Sequence, residues 1–325
     1  MKVLFISNFD KSYNEGMRNI AKHYIDDCEN KYEYECVASS KIITNILSVV
    51  GNRYDIIHII LRSNFKSIVL GSLLRLIVKC NVVVLSVVQP PKKGFLRVIS
   101  LYNPFSEVYA LSDDIVDDLC RLGIRAKKIC VGVDFNKFRS RSYKDKEKLC
   151  YEYGINPHKM TVLHVGHCSK GRNLEAFLKI DNNIFNKVVV CSDMFCDFNL
   201  KRQLLDDGVI IIDKYIHEIE LFYTLADTYI FPTIIRDYVI DVPLSVTEAL
   251  ACGTPVIMFD DHQIWSNVPI QNSKAVHIHD SNADITEELI NAATHKQKHS
   301  FIDKTFTWSN MINRTVSYYQ SLCES

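Results

Sequence analysis

Neither sign of charge predominates in this 325-residue chain: Lys plus Arg and Asp plus Glu number 38 each. A balanced chain has no basic field to hold a polyphosphate backbone, so no nucleic acid partner is expected. Long apolar runs are also missing. The longest such region, Ser67 to Val78, is short and is interrupted by Arg75, which is too little to cross a bilayer. The opening residues MKVLFISNF carry one Lys and a brief apolar run before Asn8, the pattern of a first strand and not of a secretory leader. The eleven Cys follow no paired spacing, which implies free, mostly buried thiols in a reducing compartment, the cytoplasm. The fingerprint Gly-x-Gly-x-x-Gly is absent, which argues against a dinucleotide-dependent dehydrogenase. No Asp-x-Asp pair stands in a loop suited to a metal. Cys191 and Cys196 have no partners at zinc-like spacing, and His277-x-His279-Asp280 offers only two histidines on one strand face. No metal and no cofactor are therefore expected, and no repeat or low-complexity tract stands out.

What is present reads as two α/β domains, the natural division for this length. Val3–Ser7, Tyr54–Ile60, Val82–Val88 and Val108–Ser112 are apolar, β-branched runs that predict buried strands. Gly16 opens a helical pattern through Met17, Ile20, Ala21 and Tyr24, and lets a ligand approach the backbone. Asn64–Lys79 predicts an amphipathic helix. Ser112 predicts an N-cap for a helix over Asp113–Leu122. Lys92–Tyr102 mixes basic and apolar residues; it suits a helix packed on the sheet or a peripheral contact with an anionic membrane face. His58 reads as a structural histidine at a strand end.

A second series begins after the charged, turn-rich stretch Arg139–Pro157. Thr161–Gly166 predicts a strand ending in Gly. His167-Cys168-Ser169-Lys170-Gly171-Arg172-Asn173 follows, and Leu174, Ala176 and Phe177 begin a predicted helix. A Gly, then cations, then a helix start is phosphate-binding chemistry, because backbone N–H groups and positive side chains face the same way. Val188–Val190, Val209–Ile212 and Tyr229–Phe231 predict further strands. Pro243 to Ala251 predicts a helix with Pro at its first position, and Gly253 followed by Pro255 predicts its stop. Strand, helix and strand with short joints make a parallel crossover unit, which binds ligands at the carboxyl ends of its strands.

These stretches resemble the donor-site motif of glycosyltransferase family 4. The likeness runs through Pro232-Thr233, Asp241-x-Pro243 and Glu248-Ala249-Leu250-Ala251-Cys252-Gly253-Thr254-Pro255-Val256. Gly132-Val133-Asp134 followed by Phe138 is similar to the segment that closes that family's first domain, and here reads as a structural turn. The resemblance implies the GT-B fold, two Rossmann-like domains with parallel sheets facing a cleft. It places an N-terminal acceptor-side domain at 1–142, a donor-side domain at 143–306 and a returning C-terminal helix at 307–325. It implies transfer of a hexose-like sugar from a nucleotide-sugar co-substrate, with retention, to a saccharide, lipid-linked or other small acceptor. Glu248 matches the family residue that holds the ribose. His167 and Arg172 match the two cations on the diphosphate, with Lys170 as a third. Arg172 and Lys170 are the catalytic candidates. Gly16, Gly166, His167, Lys214, Tyr215, Asp241, Pro243, Leu244, Ser245 and Glu248 are the donor-binding candidates. Three positions depart from the family pattern. Ile240 stands where the family carries an earlier Glu, His167 replaces an Arg, and Val87 with Gln89 follows the strand where the family has a His. Those departures keep a non-catalytic sugar-nucleotide-binding protein or partner subunit in view, and an epimerase shares the fold.

Overall fold

The computed structural model describes residues 1–9, 16–28, 31–42, 44, 49–141, 143–191, 196–235, 237, 239–259, 268, 270–279 and 284–324. The chain divides into two units, Met1–Gly132 together with Phe306–Ser325, and Val133–Thr305.

In the first unit the strands are β1 (Lys2–Ser7), β2 (Glu33–Ala38), β3 (Ile56–Ile60), β4 (Val82–Val87), β5 (Glu107–Ala110) and β6 (Ala126–Lys128). They form one sheet in the order β2-β1-β3-β4-β5-β6, all pairs parallel. A parallel sheet covered by helices on both faces has strands buried on both sides, which is why Ile56–Ile60 reads as an unbroken apolar run around His58. The crossovers are α1 (Gly16–Asp26), α2 (Phe65–Ile77), α3 (Lys93–Leu101) and α4 (Asp113–Arg121). Helix α2 begins at a reciprocal cap: the Asn64 side chain accepts from the Ser67 N–H, and the Ser67 hydroxyl oxygen accepts from the Asn64 N–H. Ser112 departs from expectation. Its backbone takes the N-cap conformation, but its buried hydroxyl makes no cap hydrogen bond; Asp113 and Asp114 in the first turn suit the helix dipole. Helix α3 packs Phe95 and Ile99 into the sheet's core.

The last helix, α10 (Trp308–Glu324), belongs to this unit. Its Tyr319 hydroxyl meets His58 Nδ1 at 2.5 Å, while His58 Nε2 meets the Ser86 hydroxyl at 2.7 Å. Phe5, Tyr24, Tyr109 and Tyr319 surround the imidazole. Burial lowers its pKa to about 3, so His58 is a neutral tie between sheet and helix, in mid-strand and not at a strand end. The backbone of Gly132 passes so close to Thr307 and Trp308 that a Cβ there would stand 2.0 Å from the Trp308 nitrogen.

In the second unit β7 (Met160–Val165), β8 (Phe185–Val190), β9 (Ile210–Ile212), β10 (Thr228–Phe231), β11 (Val256–Met258) and β12 (Val276–Ile278) form another all-parallel sheet. Its order is β9-β8-β7-β10-β11-β12, which reverses between β7 and β10, whereas the first sheet reverses between β1 and β3. Both follow the doubly wound Rossmann arrangement. Helices α5 (Tyr143–Tyr153), α6 (Phe198–Asp206), α7 (Ile219–Leu225), α8 (Leu244–Ala251) and α9 (Ile285–Ala293) cover it.

Two local predictions change here. The helix expected after Asn173 is replaced by two 3-10 segments, Lys170–Arg172 and Leu174–Lys179. Asn173 between them is left-handed at φ 53°, a conformation Asn tolerates, and its amide donates to the Pro232 carbonyl at 3.1 Å. Pro243 is the N-cap of α8 and not its first helical residue, because its ψ of 119° is extended. Helix α8 ends as the sequence predicts. Gly253 at φ 75° donates to the Leu250 carbonyl and Thr254 to the Ala249 carbonyl, the paired bonds of a Schellman stop.

All eleven cysteines are free, but only five are buried; Cys36, Cys120 and Cys323 are exposed, so burial of the thiols is less general than predicted. Among the described residues no helix is long and apolar enough to cross a membrane.

Candidate functional site

Strand order in the second sheet reverses between β7 and β10, and open parallel sheets bind ligands beyond the carboxyl ends of the strands at such a switch point. The segments that leave those two ends are Gly166–Arg172 and Pro232–Val242. They are the two stretches that the sequence singles out, and the Asn173–Pro232 hydrogen bond joins them.

His164 lies beneath the first segment. Its Nδ1–H donates to the Ile230 carbonyl at 3.0 Å, which makes Nε2 an acceptor; among the described residues that buried nitrogen has no hydrogen-bond partner. Burial, with the Arg172 charge adding, lowers its pKa to about 3 and keeps the ring neutral. A Cβ at Gly166 would stand 2.8 Å from Nε2, so only glycine fits above it. The chain then turns tightly: the Ser169 carbonyl accepts the Arg172 N–H at 2.9 Å, and the Lys170 carbonyl the Asn173 N–H at 3.2 Å. His167 and Arg172 are half-buried in this turn. Lys170 is exposed, with its ammonium 3.9 Å from the Asp197 carboxylate.

Tyr229 on β10 gathers the rest. Its hydroxyl donates to the Val165 carbonyl at 3.2 Å and shares a hydrogen bond with Ser245, in the first turn of α8. Burial pushes its pKa well up; Ser245, the Val165 carbonyl and the Arg172 charge oppose that shift, and Glu248 adds to it. Arg172, Ser245 and Glu248 thus act on one phenol. One turn along α8, the Glu248 carboxylate accepts from the Tyr223 hydroxyl at 2.8 Å. Burial raises the Glu248 pKa from 4.5 to about 7; Tyr223 and Lys137 pull it down, and Glu220 pushes it up. A buried carboxyl group whose pKa is raised to about 7, on the helix that follows a sheet-end segment, is a functional-site signal.

Gly166, His167, Lys170, Arg172, Asp241, Pro243, Leu244, Ser245 and Glu248 therefore belong to one end of one sheet. Asp241 is buried, at 1% exposure, as are Pro243 and Leu244. Ile240 beside it is buried and apolar. Lys214 and Tyr215 stand apart, after the edge strand β9. The Lys214 ammonium lies 5.1 Å from the Tyr153 ring, and Tyr215 is exposed with its ring edge-on to His217. Gly16 opens α1 in the first unit.

The sequence did not single out His164, Asn173, Tyr223, Tyr229 or Lys137. A His inside the apolar run Thr161–Val165 was the one visible signal. His277 and His279 do not share a ligand set: His277 Nε2 lies 3.0 Å from the Lys274 carbonyl and His279 Nδ1 2.6 Å from Glu288. Asp280 lies outside the described residues, and among those described no group of three His, Cys, Asp or Glu is placed for a metal.

Two doubly wound, all-parallel Rossmann-like sheets are the architecture of the GT-B class. Residues 145–302 match the family model of the glycosyl transferases group 1. Several solved structures share the fold over the whole chain. Anabaena HepE in complex with UDP and glucose is 16% identical, covers 99% of both chains and superposes with a TM-score of 0.76. A glycosyltransferase from Rickettsia africae is 13% identical over 100% of this chain and 99% of its own, with a TM-score of 0.73. The sucrose-phosphate synthase of Thermosynechococcus elongatus is 15% identical over 99% of both, with a TM-score of 0.69. No curated protein is significantly similar in sequence.

Proposed function

We propose that this protein is a glycosyltransferase that moves a sugar from a nucleotide-sugar to a saccharide, lipid-linked or other small acceptor. The observation that carries this reading is the Asn173–Pro232 hydrogen bond, which joins the cation-bearing turn Gly166–Arg172 to the segment leading into α8 with Ser245 and Glu248, at the switch point and within the region that matches the group 1 family. The HepE structures contain UDP, UDP with glucose, or UDP-glucose, which supports a sugar diphosphonucleoside as donor. On the family 4 resemblance we assign retention of configuration and hexosyl transfer, and on the unpaired cysteine spacing a cytoplasmic location.

The chemical problem is the leaving nucleoside diphosphate. As the bond between the anomeric carbon and the diphosphate oxygen breaks, that oxygen gains negative charge. Arg172, Lys170 and His167, with the N-terminus of α8 at Leu244–Ser245, stabilise it; preorganised charge of this kind is commonly the largest catalytic contribution. Glu248 accepts hydrogen bonds from the ribose hydroxyls. Asp241 and Pro243 shape the turn into α8. Gly16, Lys214 and Tyr215 are retained as donor-binding residues on the resemblance alone.

Because cations carry the diphosphate charge in this reading, turnover is expected to proceed without a divalent metal. The test is nucleotide release and sugar transfer from a panel of UDP-, GDP- and ADP-sugars, with and without excess EDTA. The expected result is release from at least one donor at the same rate in both conditions. Loss of turnover on chelation, restored by Mg²⁺ or Mn²⁺, overturns metal independence. The burial of apolar Ile240 where the family places a sugar-contacting Glu favours a second reading, a sugar-nucleotide binder without turnover. Tight donor binding with no release across the panel selects it.

A further inference from the structure

The first unit carries a surface that the transferase reading does not use. Helix α2 buries Ser67, Ile68, Gly71 and Leu74 against the sheet. On its opposite side Phe65, Val69, Leu73 and Leu76 are 64%, 48%, 43% and 84% exposed. Their spacing of four, four and three residues puts them on one face within less than a quarter turn, a continuous apolar stripe on solvent. Helix α3 runs alongside. The two ends meet where the Arg75 guanidinium donates to the Pro104 carbonyl at 3.1 Å, and there Leu101 and Tyr102 add 83% and 56% exposed side chains. An isolated exposed Leu is ordinary; a stripe of this length with a second patch beside it is not.

The charge around the stripe is one-sided. Between Asp55 and Glu107 the chain has no Asp or Glu and seven Lys and Arg, all exposed, in a protein whose net charge is zero. Lys66 and Arg75 flank the stripe on α2; Lys92, Lys93 and Arg97 stand on α3 and its cap. The acidic helix α4 lies on the far side of α3, because the crossovers follow the strand order β3-β4-β5.

We propose that this face of α2 and α3 docks on an anionic lipid surface. Apolar side chains enter the headgroup region while flanking ammonium and guanidinium groups meet lipid phosphates, the arrangement of an interfacial amphipathic helix. A second copy of the chain is a poor occupant, since a twofold interface would set this basic rim against itself. Nucleic acid is a poorer occupant, because Val69, Leu73, Leu76 and Leu101, which make up most of the exposed apolar surface, offer its bases nothing to stack on. The surface differs from the one the sequence suggests: Lys92–Tyr102 supplies part of the rim, while the stripe lies on α2, and α3 itself is anchored in the core through Phe95 and Ile99.

The test is co-sedimentation with phosphatidylcholine vesicles that contain about 30% phosphatidylglycerol, against pure phosphatidylcholine. It uses the full chain and needs no nucleotide-sugar, so its outcome is independent of the transferase reading. The expected result is partitioning onto the anionic vesicles that is weakened by salt and is at least roughly tenfold above that on neutral ones. Lys92→Glu with Lys93→Glu should lower it by more than about tenfold, at roughly fivefold per lost basic residue before reversal. Leu73→Ser with Leu76→Ser should also lower it about tenfold, and both variants should keep the wild-type melting temperature because all four side chains are exposed. Absence of binding to anionic vesicles, or binding that neither variant alters, overturns the proposal. So does a wild-type dimer in solution that the Leu variant dissolves, which would assign the face to a second copy.

Discussion

Arg172→Ala is expected to reduce turnover on the order of 10²–10³-fold, by analogy with loss of a single oxyanion donor. Arg172 follows Gly171 in the tight 3-10 turn above β7, and its charge already acts on His164 and Tyr229. A planar guanidinium bridges two phosphate oxygens, which an ammonium cannot do bidentately. Charge on those oxygens grows towards the transition state, so turnover should fall more than donor affinity. Arg172→Lys should recover part of the loss. Lys170→Ala should cost less, since Lys170 is exposed and its nearest ion-pair partner, Asp197, is 3.9 Å away. Initial rates against donor concentration for the three variants, each checked by thermal melt, decide the matter. Near wild-type turnover in Arg172→Ala with abolition in Lys170→Ala would transfer the role to Lys170. If neither substitution matters, the loop does not hold the diphosphate.

Glu248→Gln should weaken nucleotide binding and stabilise the fold at the same time. A carboxylate accepting ribose hydrogen bonds contributes roughly 1.5–3 kcal/mol, so affinity should drop about 10- to 150-fold. Stability moves the other way because burial raises the Glu248 pKa from 4.5 to about 7. The folded state holds this proton more tightly than the unfolded state, so the wild type loses stability as pH rises from about 4.5 to about 7 and regains none above it. A shift of this size corresponds to roughly 3 kcal/mol. The Gln variant does not ionise and should melt higher than wild type at pH 8, with little difference at pH 4.5. Ligand binding by the wild type should strengthen as pH rises through 7, when the carboxylate becomes a full acceptor. Melts at the two pH values, with calorimetric titration of UDP, test both halves. Unchanged affinity rejects the ribose role; an unchanged melt at pH 8 rejects the cost of the buried charge. If both halves hold, Glu248 keeps function at the expense of stability, the usual condition of an active site.

The strands were legible because a doubly covered parallel strand has no polar face: Ile56–Ile60 and Val188–Val190 could not be surface loops. The turn cations were legible from their order, Gly166 to Arg172, and the α8 stop from Gly253. The hydroxyl groups were not. Tyr223 and Tyr229 count as apolar in any periodicity, and only the fold shows that one phenol reaches Glu248 and the other Ser245. Asn173 escaped for a related reason, since its left-handed turn rests on a carbonyl 59 residues away. Ser112 shows the converse: a sound capping residue by type leaves its hydroxyl out of the cap, buried and without a hydrogen-bond partner among the described residues. Lys214 is basic and adjacent to a sheet end, but the aromatic ring of Tyr153 claims it.

The close passage of Gly132 against Trp308 has a consequence for the order of synthesis. The residues that leave the first unit and those that return to it touch, so the second unit is an insertion whose two ends are tied together at one point. The first unit emerges from the ribosome first, but its sheet and α1 keep His58, Tyr109 and Tyr24 without their partners until the final helix brings Tyr319 and Thr315. Domains ordinarily mature from the N-terminus onward during synthesis. Here the unit begun first is completed last, and a chain that stops short of its final helix carries an open aromatic face.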